Sequence, residues 1–306
     1  MTKLKQLKSI PNPLKKGDKI GLISTARKIS QQELDFSVQL IRSWGYEVVF
    51  SKNLFEQDNQ FSGTDKQRAS DLQQMINDSE IKAILCVRGG YGTVKIIDKI
   101  DFSPLQKNPK WIMGYSDVTV LHSHLHQLSI ASIHCSMPIN FEGNRPLSLR
   151  SIQSTLNGEP ILYETESHPL NIKGKAQAQI IGGNLSILYS LCGSQSDINT
   201  DGKILFLEDL DEYLYHIDRM IVNLKRNNKL SKLAGLIIGG MTKMHDNEVS
   251  FGKNASQIIL DAVKEYKYPV CFNFPAGHVK NNVCLKLGVE ATLEVGDTTI
   301  LRYGQA

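Results

Sequence analysis

Apolar positions in the first half of the chain alternate between two periods. Residues 19–24 form a short apolar run bounded by Gly17-Asp18, which predicts a buried strand. Residues 32–44 place Leu34, Val38 and Ile41 at helical spacing and stop at Gly45. A second strand is predicted at 46–50. Thr64 and Gln67 have the spacing of a capping box, so a helix is expected through Leu72 and Ile76. Residues 81–87 predict a third strand ending at Arg88-Gly89-Gly90-Tyr91-Gly92, and a helix through Val94, Ile97 and Ile100 is expected to follow. Residues 111–113 predict a fourth strand, which runs into Tyr115-Ser116-Asp117 and another helix. Alternation of this kind builds a parallel sheet with helices on both faces. Such sheets bind ligands beyond the carboxyl ends of their strands, where Arg88-Gly89-Gly90 and Ser116 both fall.

The pattern changes at about residue 142. Asn144-Arg145-Pro146, Asn157-Gly158-Glu159-Pro160 and His168-Pro169 are turn signals, and periodicity is lost. The expected organisation is an α/β domain at 1–142, a crossover at 143–175 and a smaller, β-rich domain at 176–306. The last part carries a Gly182-Gly183-Asn184 turn, apolar runs at 203–207 and 233–238, and short alternating strands around 291–301. The fold class is α/β.

Composition narrows the choice of function. The chain has 306 residues, 41% hydrophobic and 22% charged, with a formal charge of +4, which is ordinary for a globular protein. Lys3, Lys5, Lys8, Lys15 and Lys16 give a basic bias at the start, without interleaved aromatic residues, and read as a solvated arm rather than a nucleic-acid surface. The five cysteines include no Cys-x-x-Cys pair and several sit in apolar runs, as in a reduced, cytoplasmic protein. No apolar h-region follows Met1, and the longest apolar stretch, 233–241, is too short to span a bilayer. Neither a membrane nor a nucleic acid is expected as partner.

Candidate chemistry lies at four places. Ser116, between a strand and a helix, is presented where free backbone N–H groups can stabilise an oxyanion, as in a nucleophile elbow with one glycine, Gly114. The same serine would also serve as a plain N-cap. The loop Arg88-Gly89-Gly90-Tyr91-Gly92 lets backbone approach a ligand closely, but lacks the spacing of a nucleotide loop; an ordinary β-α turn is the alternative. Glu208 and Asp209 directly follow an apolar strand, where a partly buried carboxylate needs a partner such as a histidine N–H, or else opens a helix. His278 follows Pro275-Ala276-Gly277 on a loop. His122, His124 and His126 alternate, but only His122 and His126 align on a helix, with no His-Glu-x-x-His pattern, so no metal is expected. His134, near the end of another apolar segment, reads as structural.

These residues together resemble the LD-carboxypeptidases, serine peptidases that include muramoyltetrapeptide carboxypeptidase and the microcin C self-immunity peptidase. The matching segments are Gly17-Asp18-Lys19-Ile20, the Arg88 to Gly92 loop, Gly114-Tyr115-Ser116-Asp117-Val118-Thr119, Gly182-Gly183-Asn184-Leu185, Leu207-Glu208-Asp209 with Tyr215-His216-Ile217-Asp218-Arg219, and Gly277-His278. They occur in the family's order and span nearly the whole chain. The resemblance implies Ser116 as nucleophile, His278 as general base and Glu208 as its orienter. It implies an oxyanion hole from N–H groups of Gly90, or a neighbouring glycine, and Asp117. It also implies a first domain resembling class I glutamine amidotransferases and a homodimer; no cofactor is expected. The expected substrate is a cytoplasmic murein tetrapeptide that loses terminal D-Ala during peptidoglycan recycling. An immunity peptidase cleaving an aminoacyl-nucleotide amide is the alternative, and a non-catalytic peptide-binding module the more distant one. Arg88, by its chemistry, is a candidate for the terminal carboxylate or for a structural ion pair; Gly89 and Tyr91 are candidates to line the substrate beside it. The family commonly has His-Gly-Pro-Met where this chain has His134-Cys135-Ser136-Met137. A glycine often follows the catalytic histidine, where Val279 stands here, and a proline often precedes the later glycine, where Leu287 precedes Gly288. These departures bear on the substrate pocket.

Overall fold

A computed structural model describes residues 9–304. Lys3, Lys5 and Lys8 of the expected basic arm lie outside the described residues. The first sheet contains β1 (Lys19–Ile23), β2 (Glu47–Phe50), β3 (Ile81–Cys86), β4 (Trp111–Gly114) and β5 (Ser132–His134), all parallel, in the order β2-β1-β3-β4-β5. Its connections carry α1 (Asp35–Ser43), α2 (Asp65–Asn77), α3 (Ser103–Lys107) and α4 (Thr119–Gln127). The capping box at Thr64 and Gln67 forms and opens α2. Period-two side chains divide the core between the faces. Ile20, Leu22, Ala83 and Leu85 pack with Val38 and Ile41 of α1. Ile23, Ile84, Cys86 and Ile112 pack with Leu72 and Ile76 of α2 and Leu121 and Leu125 of α4.

One expected helix is replaced by something tighter. Residues through Val94, Ile97 and Ile100 form two single 3-10 turns, Thr93–Lys95 and Ile97–Lys99, rather than an α-helix. Thr93 is pinned to Asp117 at the start of the segment. Four β-branched residues lie among 93–97 and further disfavour regular helix.

Residues 143–175 contain α5 (Pro146–Leu156) and β6 (Leu162–Glu166). Ile152 and Leu156 of α5 enter the first core, whereas β6 joins the second sheet. That sheet adds β7 (Gly174–Asn184), α6 (Leu185–Leu191), β8 (Ile204–Leu210), α7 (Leu214–Arg226), β9 (Gly235–Thr242), α8 (Ala255–Val263) and β10 (Val270–Cys271). The chain ends with β11 (Leu285–Leu287), β12 (Glu290–Val295) and β13 (Thr298–Tyr303). The second sheet has seven strands in the order β10-β9-β8-β7-β12-β13-β6. It is a sheet domain, as expected, but β7 to β10 are parallel and flanked by helices, so half of it repeats the α/β plan. The meander of β12, β13 and β6 is antiparallel, consistent with the alternation read around 291–301. Strand β11 crosses back, pairing antiparallel with β5 at the edge of the first sheet, while Leu285 and Leu287 pack into the core of the second.

Candidate active site

Strand β4 delivers the nucleophile candidate. Tyr115 is still extended, but Ser116 has φ 63°, and the chain then enters the 3-10 turn Ser116–Val118 and α4. A non-glycine residue there stores roughly 1–3 kcal/mol of strain, of the kind that collects at functional turns. The strand end is held from behind. His122 Nε2 donates to the Gly114 carbonyl (2.9 Å), which leaves Nδ1 to accept from Ser132 Oγ (2.8 Å). His124 Nδ1 meets Ser196 Oγ at 3.0 Å. His134 is buried beneath Tyr115. Among the described residues, no group of three or more His, Cys, Asp or Glu side chains gathers in a way that would hold a metal ion.

The glycine-rich loop after β3 meets this elbow. A Cβ on Gly89 would sit 3.3 Å from Ser116 Oγ, so the missing side chain leaves the hydroxyl its space. Gly90 has φ 114°. Asp117 fixes the loop to the elbow: its buried Oδ2 accepts from Thr93 N (2.9 Å) and Thr93 Oγ1 (2.7 Å). Burial raises the pKa of its carboxyl, against the pull of the Thr93 hydrogen bonds. The Asp117 N–H belongs to the first turn after β4, where helical N–H groups lack an intrahelical acceptor. Arg88 reaches the same cleft, but its Nη1 donates to Lys28 O (3.2 Å) and Glu33 Oε1 (3.3 Å). Tyr91 does not join them: it is half exposed, outside the cleft lining, and packs on Phe61 with ring centroids 6.3 Å apart.

The second sheet supplies an acid and a base. Glu208 and Asp209 lie within β8, not after it, and are 0% and 2% exposed. Glu208 Oε2 lies 2.6 Å from His278 Nδ1 and accepts from the His278 backbone N–H at 3.0 Å. Gly277 makes this possible: its φ is 101°, and a Cβ there would stand 2.5 Å from Glu208 Oε2. Burial alone would lower the His278 pKa, but the Glu208 charge and hydrogen bond outweigh it and leave the imidazole pKa raised. Burial first, and then the Glu208 charge, push Asp209 up to about 7.

Asn184 joins the two sheets at this point. Its Nδ2 donates to Asp209 Oδ1 (2.9 Å) and Glu208 Oε1 (3.4 Å), and its backbone N–H donates to Thr119 Oγ1 (3.0 Å) at the start of α4. The Gly182-Gly183-Asn184 segment is the end of β7 rather than a turn. Its glycines allow close contact: a Cβ on Gly183 would fall 2.5 Å from Thr119 Oγ1.

Ser116 and His278 line one cleft of about 260 Å³, together with Arg27, Arg88, Gly89, Gly90 and Tyr115. It adjoins a larger lobe of about 640 Å³ that shares His278, Tyr115 and Asn140 and adds Lys243 and Lys280. Among the described residues, no acidic side chain lines either lobe. With Nδ1 occupied by Glu208, Nε2 is the imidazole nitrogen available to a neighbouring hydroxyl. The order Ser116, His278, Glu208 therefore has the logic of a hydrolytic triad. Sequence reading passed over Arg27 and Thr93, and it noted Thr119 and Asn184 only within matching segments, without a role. Their signal is three-dimensional: each acts through a residue distant in the chain.

Comparison with known proteins identifies the family. Residues 20–135 match the LD-carboxypeptidase N-terminal domain, and residues 177–293 match the LD-carboxypeptidase C-terminal domain. The chain belongs to the LD-carboxypeptidase family. A probable murein peptide carboxypeptidase of Bacillus subtilis is 34% identical, over 94% of this chain and 92% of that protein. The murein tetrapeptide carboxypeptidase of Pseudomonas aeruginosa is 26% identical, over 90% and 93%. Among solved structures, the muramoyltetrapeptide carboxypeptidase from Oxalobacter formigenes superposes with a TM-score of 0.86 at 24% identity, covering 94% of this chain and 98% of the other. MccF in complex with glutamyl sulfamoyl guanosine also gives 0.86, at 21% identity and 97% and 99% coverage. The last two establish a shared fold. As a member of the LD-carboxypeptidase family, the protein is a serine carboxypeptidase.

Proposed function

We propose that this enzyme removes the terminal D-Ala from a murein tetrapeptide, cutting after the L-configured centre of the diamino acid, through the triad Ser116, His278 and Glu208. The observation that carries the reading is the buried Glu208–His278 pair opening onto the cleft that also holds Ser116. His278 Nε2 takes the Ser116 proton as Oγ attacks the amide carbonyl, and Glu208 keeps the imidazole in the required tautomer. The N–H groups of Gly90 and Asp117 receive the oxyanion, each worth roughly 3–4 kcal/mol in comparable sites. His278 then gives its proton to the leaving amine. Water, activated by the same imidazole, releases the acyl group from Ser116.

The cleft supports an acidic peptide. Arg27, Lys243 and Lys280 line its lobes, Arg88 is already held by Glu33, and among the described residues no carboxylate lines either lobe, whereas a murein peptide carries several. A nucleotide-bearing substrate finds less: apart from His278, Tyr115 is the one aromatic residue lining either lobe, whereas bases favour open stacking platforms. A cytoplasmic place in peptidoglycan recycling and a homodimeric assembly complete the proposal.

The test is mass spectrometry of products from a panel of muropeptides and an aminoacyl sulfamate. Loss of a single D-Ala from the tetrapeptide, absent in Ser116→Ala, is the expected result. Turnover of the sulfamate alone would overturn the substrate assignment. Persistent tetrapeptide cleavage by Ser116→Ala would overturn the mechanism.

A further inference from the structure

The small lobe holds two arginines, and only one is engaged. Arg88 is held by Glu33 and the Lys28 carbonyl. Among the described residues, no hydrogen bond or ion pair takes up the Arg27 guanidinium. Its stem lies across the glycine loop: a Cβ on Gly90 would come within 2.7 Å of Arg27 Cγ and Cδ and 2.8 Å of Nε. Its backbone N–H donates to Gly89 O at 3.4 Å, so the two loops run together.

Topology singles out the same place. Arg27 follows β1 and Gly90 follows β3, neighbours in the sheet. The chain leaves β1 toward β2 on one side and leaves β3 toward β4 on the other. The strand order reverses between them, which opens a crevice at the carboxyl ends. Ser116 and His278 line the cleft formed there, and among the described residues no acidic side chain does. An unpaired guanidinium beside a nucleophile, in a lobe without carboxylates, needs an anion from the ligand. Its planar fork matches a carboxylate with two parallel hydrogen bonds.

We infer that Arg27, rather than Arg88, binds the terminal carboxylate of the residue that leaves, and so restricts cleavage to the last bond of a free-acid peptide. This deepens the proposed function and rests on it. The small lobe then takes the departing residue, and the larger lobe with Lys243 and Lys280 takes the acyl side.

The experiment compares a tetrapeptide with its C-terminal amide, using the full chain, Arg27→Ala, Arg27→Lys and Arg88→Ala. Arg27→Ala should shrink the acid-over-amide preference in kcat/KM by about 10- to 100-fold, mainly through KM, and Arg27→Lys should recover part of it. Arg88→Ala should keep the preference. Equal losses on acid and amide in Arg27→Ala, with normal wild-type turnover, would overturn the clamp alone. A preference lost only in Arg88→Ala would transfer the role to that residue. A wild-type chain that releases no residue from any free-acid peptide would remove the carboxypeptidase reading and the clamp with it.

Discussion

At the end of β4 the reactive group is placed by backbone: Ser116 is forced to φ 63° and presented between a strand and a helix, with its side chain partly open to the cleft. At the end of β8 the placement is done by side chains. Glu208 is fully buried, His278 is bonded to it twice, and Asn184 ties Glu208 and Asp209 to Thr119 across the seam. The difference follows from what each group must do. A nucleophile needs access and neighbouring N–H groups, which a tight turn supplies. A base needs a fixed tautomer and an altered proton affinity, which only a desolvated, hydrogen-bonded partner supplies.

The contrast predicts different kinds of damage. Removing the hydroxyl in Ser116→Ala should lower kcat by about 10⁴- to 10⁶-fold and leave the circular dichroism spectrum and Tm near normal. A kcat within tenfold of the wild type would end the elbow assignment. Glu208→Gln should cost about 10⁴-fold in kcat, because the amide favours the wrong imidazole tautomer.

It should also move the pH profile. As the proposed base His278 has to be neutral, and Glu208 holds its pKa above the ordinary imidazole value, so turnover should rise as pH climbs through that raised value. With the charge gone and burial remaining, the rising limb shifts to lower pH. An unmoved limb would show that another group sets it. The same pair contributes stability that is complete below the ordinary imidazole pKa and lost as pH rises through the raised one.

Gly277→Ala tests the side-chain half through its backbone. The new methyl falls 2.5 Å from Glu208 Oε2 at a φ of 101°, so kcat should drop about 100-fold through misplaced His278, with a lower Tm. Full activity would mean the loop tolerates movement that the packing forbids. The smallest effect is expected from Thr93→Val. Asp117 keeps one Thr93 donor and loses the other, which should cost about 1 kcal/mol in urea unfolding and a several-fold loss of kcat. A change in stability alone would limit Asp117 to a structural role.

The α/β class, the first four strands of the first sheet and the α2 cap were legible because each is written in local periodicity or in a motif of four residues, whereas β5 and β11, three residues each, are too short to show a period. Ser116, Glu208 and His278 were legible as candidates because each stands just beyond or at the end of an apolar run and carries a reactive side chain. The rest depended on distance along the chain. Asn184 is twenty-four residues from Glu208 and sixty-five from Thr119, and no local pattern marks those bonds. Arg27 carries no local pattern that singles it out. Its meaning comes from the β3 loop beside it. Tyr91 drew notice by lying in the glycine loop, yet its ring prefers the apolar surface of Phe61 to the cleft.

Strand β11 has a consequence for how the enzyme comes into being. It supplies the last edge of the first sheet from residues just beyond His278, and the loop between them is closed on itself and tied to the residue before α5: Asn282 Oδ1 takes the Gly277 N–H (2.8 Å), and Lys280 O takes the Arg145 N–H (2.9 Å). In synthesis Ser116 comes first, and His278 and the closing strand emerge together, well after it. If Ser116 and His278 act together as proposed, a product truncated before that short stretch should be inert, and a turnover assay on such a product checks it.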